Sequence, residues 1–382
     1  MIRVLHVIDT LGPGGAETVF LQMATRLDPA RFESTAVIGG TGWLDEQLRR
    51  HSLAPRVAPA KGSVNIRYLI SLLRLMRQHR SDVILAHLYG SAVYASLAGM
   101  FLSVPAVSVL HGQTDVPGEE RFASLKSAIV RRGSRKLIFV SERLADSLTP
   151  RLRLDSSQCS VIPNGVDTEV FRPHRDRSLR DELGLSDDMV LVGAIGNVRE
   201  PKGYDVFLRA ARALIERSQR FHFVIAGDRD NALGGQLERL GRDLGIERRL
   251  TFLGLRPDVS RILNNLDVFA LSSHTEGFSI ACIEAMACGV PVVATRSGGP
   301  EQILEGEAGV LVPTGDPKSL AAAIERVTSS KESATAMTAR AMRRVHERYT
   351  LARMISSYED LLERVVQQSP RKRRIARVHS RA

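Results

Sequence analysis

The sequence is poor in cysteine and in long apolar runs. Three cysteines among 382 residues are too few for a disulfide framework, which favours a reducing compartment. Cys282 and Cys288 fall on different faces of a helical pattern and make a poor metal pair. The longest apolar candidate, residues 91–109, is interrupted by glycine and proline short of the ~20 residues that span a membrane. Because Met1 leads directly into a strand-like run, we expect no signal peptide and a cytoplasmic location.

Aromatic residues are also scarce, at 5%, while the net charge is +11 and unevenly spread. Residues 1–168 carry 20 basic against 14 acidic side chains, residues 169–370 carry 27 against 28, and residues 371–382 carry six against none. This asymmetry favours an anionic partner of the first half, such as a membrane surface, an acidic glycan or a nucleic acid. For any single basic stretch, an ordinary solvated surface is the slightly stronger interpretation. Nucleic acid is disfavoured, because the basic stretches lack interleaved aromatics and match no recognition motif.

Short apolar, β-rich runs alternate with amphipathic helical stretches along the chain. Runs that are apolar on both sides indicate strands of a parallel sheet with both faces covered. Two successive series therefore predict an α/β protein with two Rossmann-like doubly wound domains facing a central cleft. The strand-like runs are residues 4–8, 34–38, 83–86, 106–110 and 137–140, then 190–194, 221–226, 251–253, 268–271 and 292–294.

The domain boundary is expected near residues 162–167, where proline and Asn-Gly punctuate a turn. We predict a first domain over residues 1–168 and a second domain over residues 169–349. Residues 367–382 are predicted to form a basic, disordered tail. Ligands usually bind in the crevice between two such domains.

Gly14 and Gly15 lie in a glycine-rich turn between a strand and a helix. Amides at a helix start favour anions, so this turn is predicted to be an acceptor or phosphate loop, with a plain tight turn as an equal alternative. NAD binding is disfavoured, because Glu17 replaces the third glycine and the next strand ends at Gly39 instead of at an acid.

A second loop, residues 196–203, places Arg199 and Lys202 after another strand. No Ser or Thr follows the lysine, so the loop is not a P-loop. The two cations could neutralise a diphosphate without a metal, or could simply be exposed on a turn.

Glu276 ends a loop, and residues 278–287 are predicted to form a helix. Gly277 leaves the backbone open, so that the amides of Phe278, Ser279 and Ile280 would form a phosphate-binding helix start.

Glu284 is the only charged residue between Gly277 and Thr295, and a helix this apolar is buried. A buried carboxylate needs hydrogen-bond donors. We favour the two hydroxyls of a ribose as those donors over a backbone cap or a pair with Arg296.

These residues resemble retaining glycosyltransferases of family 4, which have the two-Rossmann glycosyltransferase B fold. The most specific part is Glu276-x7-Glu284 with the Ala-Met-Ala-Cys-Gly-Val-Pro-Val-Val-Ala run that follows it. Supporting pieces are Gly14-Gly15-Ala16-Glu17, His111-Gly112, residues 162–167, Lys202-Gly203 and Gly298-Gly299-Pro300-Glu301.

The resemblance implies an acceptor-binding domain over residues 1–168, a donor-binding domain over residues 169–349, and a role for each matching residue. Lys202 would bind the donor diphosphate and Glu284 the ribose, while Glu276 and the amides of residues 277–280 would contact the donor sugar. His111 would reach the donor sugar from the first domain, and residues 350–366 would form a helix packing back on that domain. The family often has arginine at the position of Asn197, and Arg199 would have to supply that charge here.

The resemblance also implies retention of configuration by front-face attack, without an enzyme nucleophile, cofactor or metal. Asp228-Arg229-Asp230 has the spacing of a metal motif but is expected to border the nucleotide or to be solvated. The expected partners are a UDP- or GDP-sugar and a sugar or lipid-linked acceptor of bacterial polysaccharide or glycoconjugate synthesis.

Three further hypotheses remain open. One is a sugar-nucleotide epimerase on the same fold. Another is a non-catalytic nucleotide-sugar-binding protein at a membrane. The third is peripheral membrane association of the enzyme itself through residues 66–80 and 121–136, which mix apolar and basic side chains at helical spacing.

Overall fold

The computed structural model describes residues 1–59, 65–113, 116 and 122–369. The chain divides into two compact units. Unit 1 comprises Met1–Pro163 together with the described chain from Arg353, and unit 2 comprises Asn164–Ala352. Residues 164–168, which we predicted to end the first domain, belong to unit 2, where Val166 bridges to Thr350. Of the predicted tail, residues 370–382 lie outside the described residues.

Unit 1 contains a sheet of seven parallel strands in the order β3-β2-β1-β4-β5-β6-β7. Its strand order reverses between β1 and β4, where the chain changes its direction of winding. The strands are β1 Ile2–Ile8, β2 Phe32–Ile38, β3 Arg56–Val57, β4 Val83–His87, β5 Ala106–Leu110, β6 Ser134–Phe139 and β7 Cys159–Val161.

Unit 2 contains six parallel strands in the order β10-β9-β8-β11-β12-β13, with the reversal between β8 and β11. In open sheets of this kind, ligands bind beyond the carboxyl ends of the strands at the reversal. The strands are β8 Val190–Ile195, β9 Phe221–Ala226, β10 Leu250–Gly254, β11 Val268–Leu271, β12 Val292–Thr295 and β13 Val310–Val312.

Helices cover the sheets because the central strands are apolar on both sides and buried throughout, as β4, β5 and β9 are. In unit 1 the helices are α1 Gly15–Arg26, α2 Trp43–Arg50, α3 Ile66–Gln78, α4 Tyr89–Leu102, α5 Ala123–Gly133 and α6 Glu142–Arg151. In unit 2 they are α7 Ser178–Glu182, α8 Tyr204–Arg217, α9 Ala232–Asp243, α10 Val259–Asn265, α11 Ile280–Ala287, α12 Gly299–Ile303, α13 Pro317–Ser329 and α14 Lys331–Arg348.

The last helix, α15 Leu351–Gln367, makes polar contacts with the loop between α1 and β2. The Glu359 carboxylate accepts from the amide of Asp28 at 2.7 Å and from the Arg31 guanidinium at 3.0 Å. Arg31 also pairs with Glu363 at 2.7 Å. These contacts attach the helix to unit 1.

The two parallel sheets confirm the predicted two-Rossmann fold. Most predicted strands are correct to within a few residues. The helix predicted over residues 278–287 begins later, at Ile280.

Candidate functional site

The candidate donor site lies in unit 2, beyond the carboxyl ends of β8 and β11. Lys202 closes a 3₁₀ turn, Glu200–Lys202, that follows β8. Its side chain passes over Gly196, next to Tyr204, whose hydroxyl donates to the Gly196 carbonyl at 2.6 Å. Gly203 has φ of +59°, and a Cβ there would lie 2.3 Å from the carbonyl oxygen of Ser272. The turn can therefore approach the end of β11 only with glycine at this position.

Glu276, which follows β11, forms an ion pair with Lys202, which follows β8. The Lys202 Nζ lies 2.7 Å from Glu276 Oε1, and Ser273 Oγ donates to the same oxygen at 2.6 Å. The Glu276 side chain is only 9% exposed, whereas that of Lys202 is 26% exposed. The ammonium can therefore bind a phosphate on its open side while it holds the carboxylate on the other.

The loop before α11 corrects the predicted helix start. Glu276 bridges to Gly298, and a Cβ on Gly299 would lie 2.7 Å from Phe278 Cα. Residues 277–279 are not helical, and α11 begins at Ile280. Of the predicted amides, only Ile280 belongs to the helix.

The side chains of this loop also differ from a simple anion site. Ser279 is the N-cap, and its hydroxyl accepts from the amide of Cys282 at 3.3 Å. The Phe278 ring is buried and packs edge-on against Tyr349, with centroids 5.6 Å apart. Phe278 therefore anchors the loop instead of lining an open surface.

Glu284 lies on α11 and is half-buried. Burial raises the pKa of its carboxyl to about 7. Within the residues that the structure describes, this carboxylate has neither a hydrogen-bond partner nor an ion pair, and Arg296 is exposed to solvent. A carboxyl left in this state is costly to the folded protein unless a ligand supplies donors.

Arg199 and its neighbours form the rim of the same loop. The Arg199 side chain is exposed, and no partner for it occurs among the described residues. Asn197, at the position where the family often has arginine, accepts from the amide of Asp228 at 3.1 Å. The Asp228 carboxylate in turn accepts from the amide of Asp230 at 3.1 Å. Asn197 thus links its own loop to the loop that contains Asp228. The positive charges on the Asn197 loop are those of Arg199 and Lys202.

The part of the chain that the structure describes contains no group of three or more His, Cys, Asp or Glu able to hold a metal ion. In the Asp-Arg-Asp motif, the Arg229 guanidinium forms an ion pair with Glu238. Its Cζ atom lies 5.2 Å from the centroid of the Phe252 ring.

Gly14, Gly15 and His111 belong to unit 1. Gly14 caps α1, and a Cβ there would lie 2.4 Å from Oε2 of Glu17, so that the Glu17 carboxylate folds back over the helix start. His111 follows β5, and its Nε2 lies 3.1 Å from Nδ1 of His87 at the end of β4. Burial lowers the pKa of His111 to about 3.

Sequence reasoning missed three residues of these sites. Ser273 orients Glu276, and Tyr204 orients the Gly196 loop. The sequence signal for Ser273 was its position three residues before Glu276. Asp9 directly follows β1, half-buried at the strand reversal of unit 1, with its pKa raised by burial. Its place after the first strand was a signal that went unused.

Fold and donor-side geometry together define the class of protein, a two-Rossmann protein of the glycosyltransferase B type. A family model described as "Glycosyltransferase Family 4" matches residues 13–170, and one described as "Glycosyl transferases group 1" matches residues 189–330. The chain belongs to glycosyltransferase family 4.

Curated relatives agree with this membership. The D-inositol 3-phosphate glycosyltransferase of Corynebacterium jeikeium is 36% identical over 196 residues, which are 48% of this chain and 47% of the relative. This chain thus spans about half the length of that relative. The UDP-Gal:alpha-D-GlcNAc-diphosphoundecaprenol alpha-1,3-galactosyltransferase of Escherichia coli is 26% identical over 344 residues, or 86% of this chain and 89% of the relative.

Among solved structures, Anabaena HepE in complex with UDP-glucose matches the fold with a TM-score of 0.85 at 21% identity. The match covers 95% of this chain and 100% of HepE. Among the described helices, none is both long and apolar enough to cross a bilayer.

Proposed function

We propose that this chain transfers a sugar from a nucleoside diphosphate to an acceptor hydroxyl with retention of configuration. The observation that carries this proposal is Glu284, a half-buried carboxylate that has no partner among the described residues. Vicinal ribose hydroxyls are two neutral donors at the spacing of a carboxylate's two oxygens. Family membership makes a nucleotide sugar the ligand that brings them.

The remaining donor contacts follow from the strand reversal of unit 2. Lys202 and the exposed Arg199 would bind the diphosphate, and Glu276 would contact the sugar near its reacting carbon. The amides in the first turn of α11 would add neutral donors to the same region. His111 of unit 1 would hydrogen-bond the donor sugar.

In the proposed reaction, the bond between C1 of the sugar and the diphosphate oxygen breaks while the acceptor oxygen bonds to C1 on the same face. The acceptor proton moves to the leaving diphosphate oxygen. Negative charge builds on the diphosphate in the transition state, so that a fixed Lys202 ammonium stabilises the transition state more than the ground state. This assignment requires no divalent metal.

For the substrates, we place UDP-sugars first, because the galactosyltransferase relative and the HepE complexes name uridine nucleotides. Both curated relatives name an acceptor that carries phosphate. A phosphate-bearing sugar, polyol or lipid also suits the positive charge of residues 1–168.

The test is a matrix of UDP-, GDP- and ADP-sugars with and without phosphate-bearing acceptors, followed by chromatography of nucleotide and product. We expect nucleotide release that depends on the acceptor, and an axial or equatorial product linkage that matches the donor. Epimerised donor without acceptor would identify an epimerase, and binding without turnover would identify a non-catalytic protein. Either outcome contradicts the proposal.

We further propose that unit 1 docks on an anionic bilayer through the neighbouring helices α3, α4 and α5. These helices carry six Arg or Lys and no Asp or Glu. Large apolar side chains are exposed among these charges, as interfacial surfaces require. They are Ile66, Ile70, Met100, Phe101, Phe122 and Leu125.

Flotation with anionic and neutral vesicles tests the membrane face. Arg74→Glu on α3 should reduce binding to anionic vesicles, because it reverses one charge of this face. Arg209→Glu on α8 makes the same charge change at an exposed position of unit 2 and should not reduce it. Equal binding of both variants, or no binding at low salt, would contradict this face as the docking surface.

A further inference from the structure

The last carbonyl groups of the short helix α12 accept hydrogen bonds from Arg344 of α14. Carbonyls at the end of a helix find no partner within that helix, and basic side chains near the end can donate to them. The Arg344 guanidinium donates to the Ile303 carbonyl from Nε at 2.9 Å and to the Gln302 carbonyl from Nη2 at 2.7 Å. It also pairs with Glu305 at 2.8 Å, and its side chain is only 14% exposed. The end of α12 is therefore attached to α14 by a single guanidinium.

Tyr349 caps the end of α14 and contacts both α12 and the loop before α11. Its hydroxyl donates to the Gln302 carbonyl at 3.3 Å. Its buried ring packs edge-on against Phe278, with centroids 5.6 Å apart. The Arg344 Cζ lies 5.9 Å from the centroid of the Tyr349 ring, within the range of a cation–π contact. Arg344 and Tyr349 thus contact each other and two neighbouring segments of unit 2.

Both segments are joined to Glu276 through the backbone. The amide of Glu276 donates to the Ser297 carbonyl at 2.7 Å. The amide of Gly299, the first residue of α12, donates to the Glu276 carbonyl at 3.1 Å. Phe278 follows Glu276 by two residues in the same loop. Because these hydrogen bonds fix the backbone of Glu276 relative to α12, a shift of α12 would move the Glu276 carboxylate and its ion pair with Lys202.

We propose that Arg344 and Tyr349 are positioning residues, which hold Glu276 in place through α12 and Phe278. Neither side chain needs to touch the donor, because each acts through the backbone of residues 276–279 and 297–303. In the proposed function Glu276 contacts the donor sugar near its reacting carbon, and a misplacement of about 1 Å can lower a rate about a hundredfold. The effect on sugar transfer rests on the proposed function, whereas the positioning of Glu276 does not.

The first test needs no substrate and follows hydrogen–deuterium exchange of the segments that contain the amides of Glu276 and Gly299. Arg344→Met removes the guanidinium but keeps an unbranched apolar stem. Arg340→Met is the control, because Arg340 lies one turn earlier on α14 and donates to the Glu307 carbonyl at 3.1 Å.

We expect exchange of both segments to accelerate about tenfold to a hundredfold in Arg344→Met, because hydrogen bonds from a charged group oppose local opening by about that factor. The same segments should exchange at the wild-type rate in Arg340→Met. Unchanged exchange in Arg344→Met, or equal acceleration in both variants, would overturn the proposal even if the enzyme transfers sugar normally.

Catalysis supplies the second test, with two variants of the tyrosine. Tyr349→Leu removes the hydroxyl and the edge-on contact with Phe278, whereas Tyr349→Phe keeps the ring. Tyr358→Leu is the control, because Tyr358 is also fully buried but lies on α15 in unit 1. Thermal unfolding of each variant reports whether the losses of stability are comparable.

We expect kcat to fall about tenfold to a hundredfold in Arg344→Met and in Tyr349→Leu, and much less in Tyr349→Phe. Affinity for UDP, measured by titration calorimetry, should stay near the wild-type value, because UDP lacks the sugar that Glu276 would contact. Arg340→Met and Tyr358→Leu should leave kcat near the wild-type value.

An equal loss of kcat in the control variants would contradict positioning, and so would a loss of UDP affinity as large as the loss of kcat. If the wild-type protein transfers no sugar, the proposed function fails, while the exchange rates still decide whether Arg344 positions Glu276.

Discussion

At the scale of single residues, two carboxylates of one segment meet opposite environments. Glu276 is satisfied by Lys202 at 2.7 Å and by Ser273 at 2.6 Å. Glu284 has no partner in the described chain, and burial raises its pKa to about 7. The first carboxylate is thus held in position by the protein itself, whereas in the proposed function the second would find its hydrogen-bond donors in the nucleotide sugar.

Glu284→Gln should separate binding from stability. Glutamine keeps the shape but removes the charge, and hydrogen bonds to a charged group contribute about 1.5–3 kcal/mol. We expect donor affinity to fall about tenfold to a hundredfold in titration calorimetry. The melting temperature of the free protein should stay the same or rise, because a costly buried carboxyl has been removed. Glu247→Gln, an exposed change in unit 2, should alter neither.

The pH dependence has a defined sign at Glu284. The folded pKa of about 7 exceeds the ordinary value of 4.5, so the folded protein binds more protons between these values. The contribution of Glu284 to stability therefore falls as pH rises from about 4.5 to 7. Donor affinity should instead rise through pH 7, because the ionised carboxylate is the better acceptor. The ribose role would be contradicted if donor affinity fell as the pH rose through 7. It would also be contradicted if donor affinity depended on pH equally in the wild type and in Glu284→Gln.

At the scale of elements, the turn at Gly203 determines where Lys202 points. A Cβ at this position would lie 2.3 Å from the carbonyl oxygen of Ser272, and φ is +59°. Gly184 has a nearly equal φ of +64° but nothing within 4 Å of its Cβ position. A comparison of substitutions at these two glycines therefore distinguishes the effect of backbone strain from the effect of steric overlap.

Gly203→Ala should reduce the free energy of unfolding more than Gly184→Ala, as measured by urea denaturation. Both substitutions incur left-handed strain of about 1–2 kcal/mol. Only Gly203→Ala adds overlap with β11, which would also displace Lys202 and raise the KM for the donor. Equal losses of stability with unchanged KM would show that the close approach does not position Lys202.

The attachment of α15 to the loop between α1 and β2 is a second property at the scale of elements. Glu359 accepts from both Asp28 and Arg31 and is 7% exposed, whereas Asp360 on the same helix is exposed. Glu359→Ala leaves the backbone amide of Asp28 without its acceptor and leaves Glu363 as the remaining carboxylate partner of Arg31. It should lower the free energy of unfolding by about 1–3 kcal/mol, measured by denaturant unfolding. Asp360→Ala should change it by less than about 0.5 kcal/mol, and equal effects would contradict a role of Glu359 in the attachment.

At the scale of the whole molecule, charge favours a metal-independent reaction on anionic substrates. The chain has a net charge of +11, with 20 basic against 14 acidic side chains in residues 1–168. Two cations, Lys202 and Arg199, lie on one loop of the proposed diphosphate site. We expect the transfer rate to be retained in EDTA, and Asp228→Asn to change kcat little. Loss of turnover in EDTA that Mg²⁺ or Mn²⁺ restores would contradict this assignment.

The sequence by itself determined the class of the fold and the segment that contains the site. Apolar runs on both faces of a strand require a covered parallel sheet, so two series of such runs predicted the sheets now seen as seven and six strands. A lone acid in an apolar helix likewise identified Glu284 as a carboxylate in need of donors. These are local properties, which periodicity and side-chain chemistry express directly.

Only the tertiary structure decided which side chains meet. The helix after Glu276 begins at Ile280, and the residue before the intervening loop, Glu276, bridges to the distant Gly298. The pairs Lys202–Glu276 and His87–His111 join residues 74 and 24 positions apart. Such contacts depend on strand order and register, which bring sequence-distant strand ends together and leave no local signal in the chain.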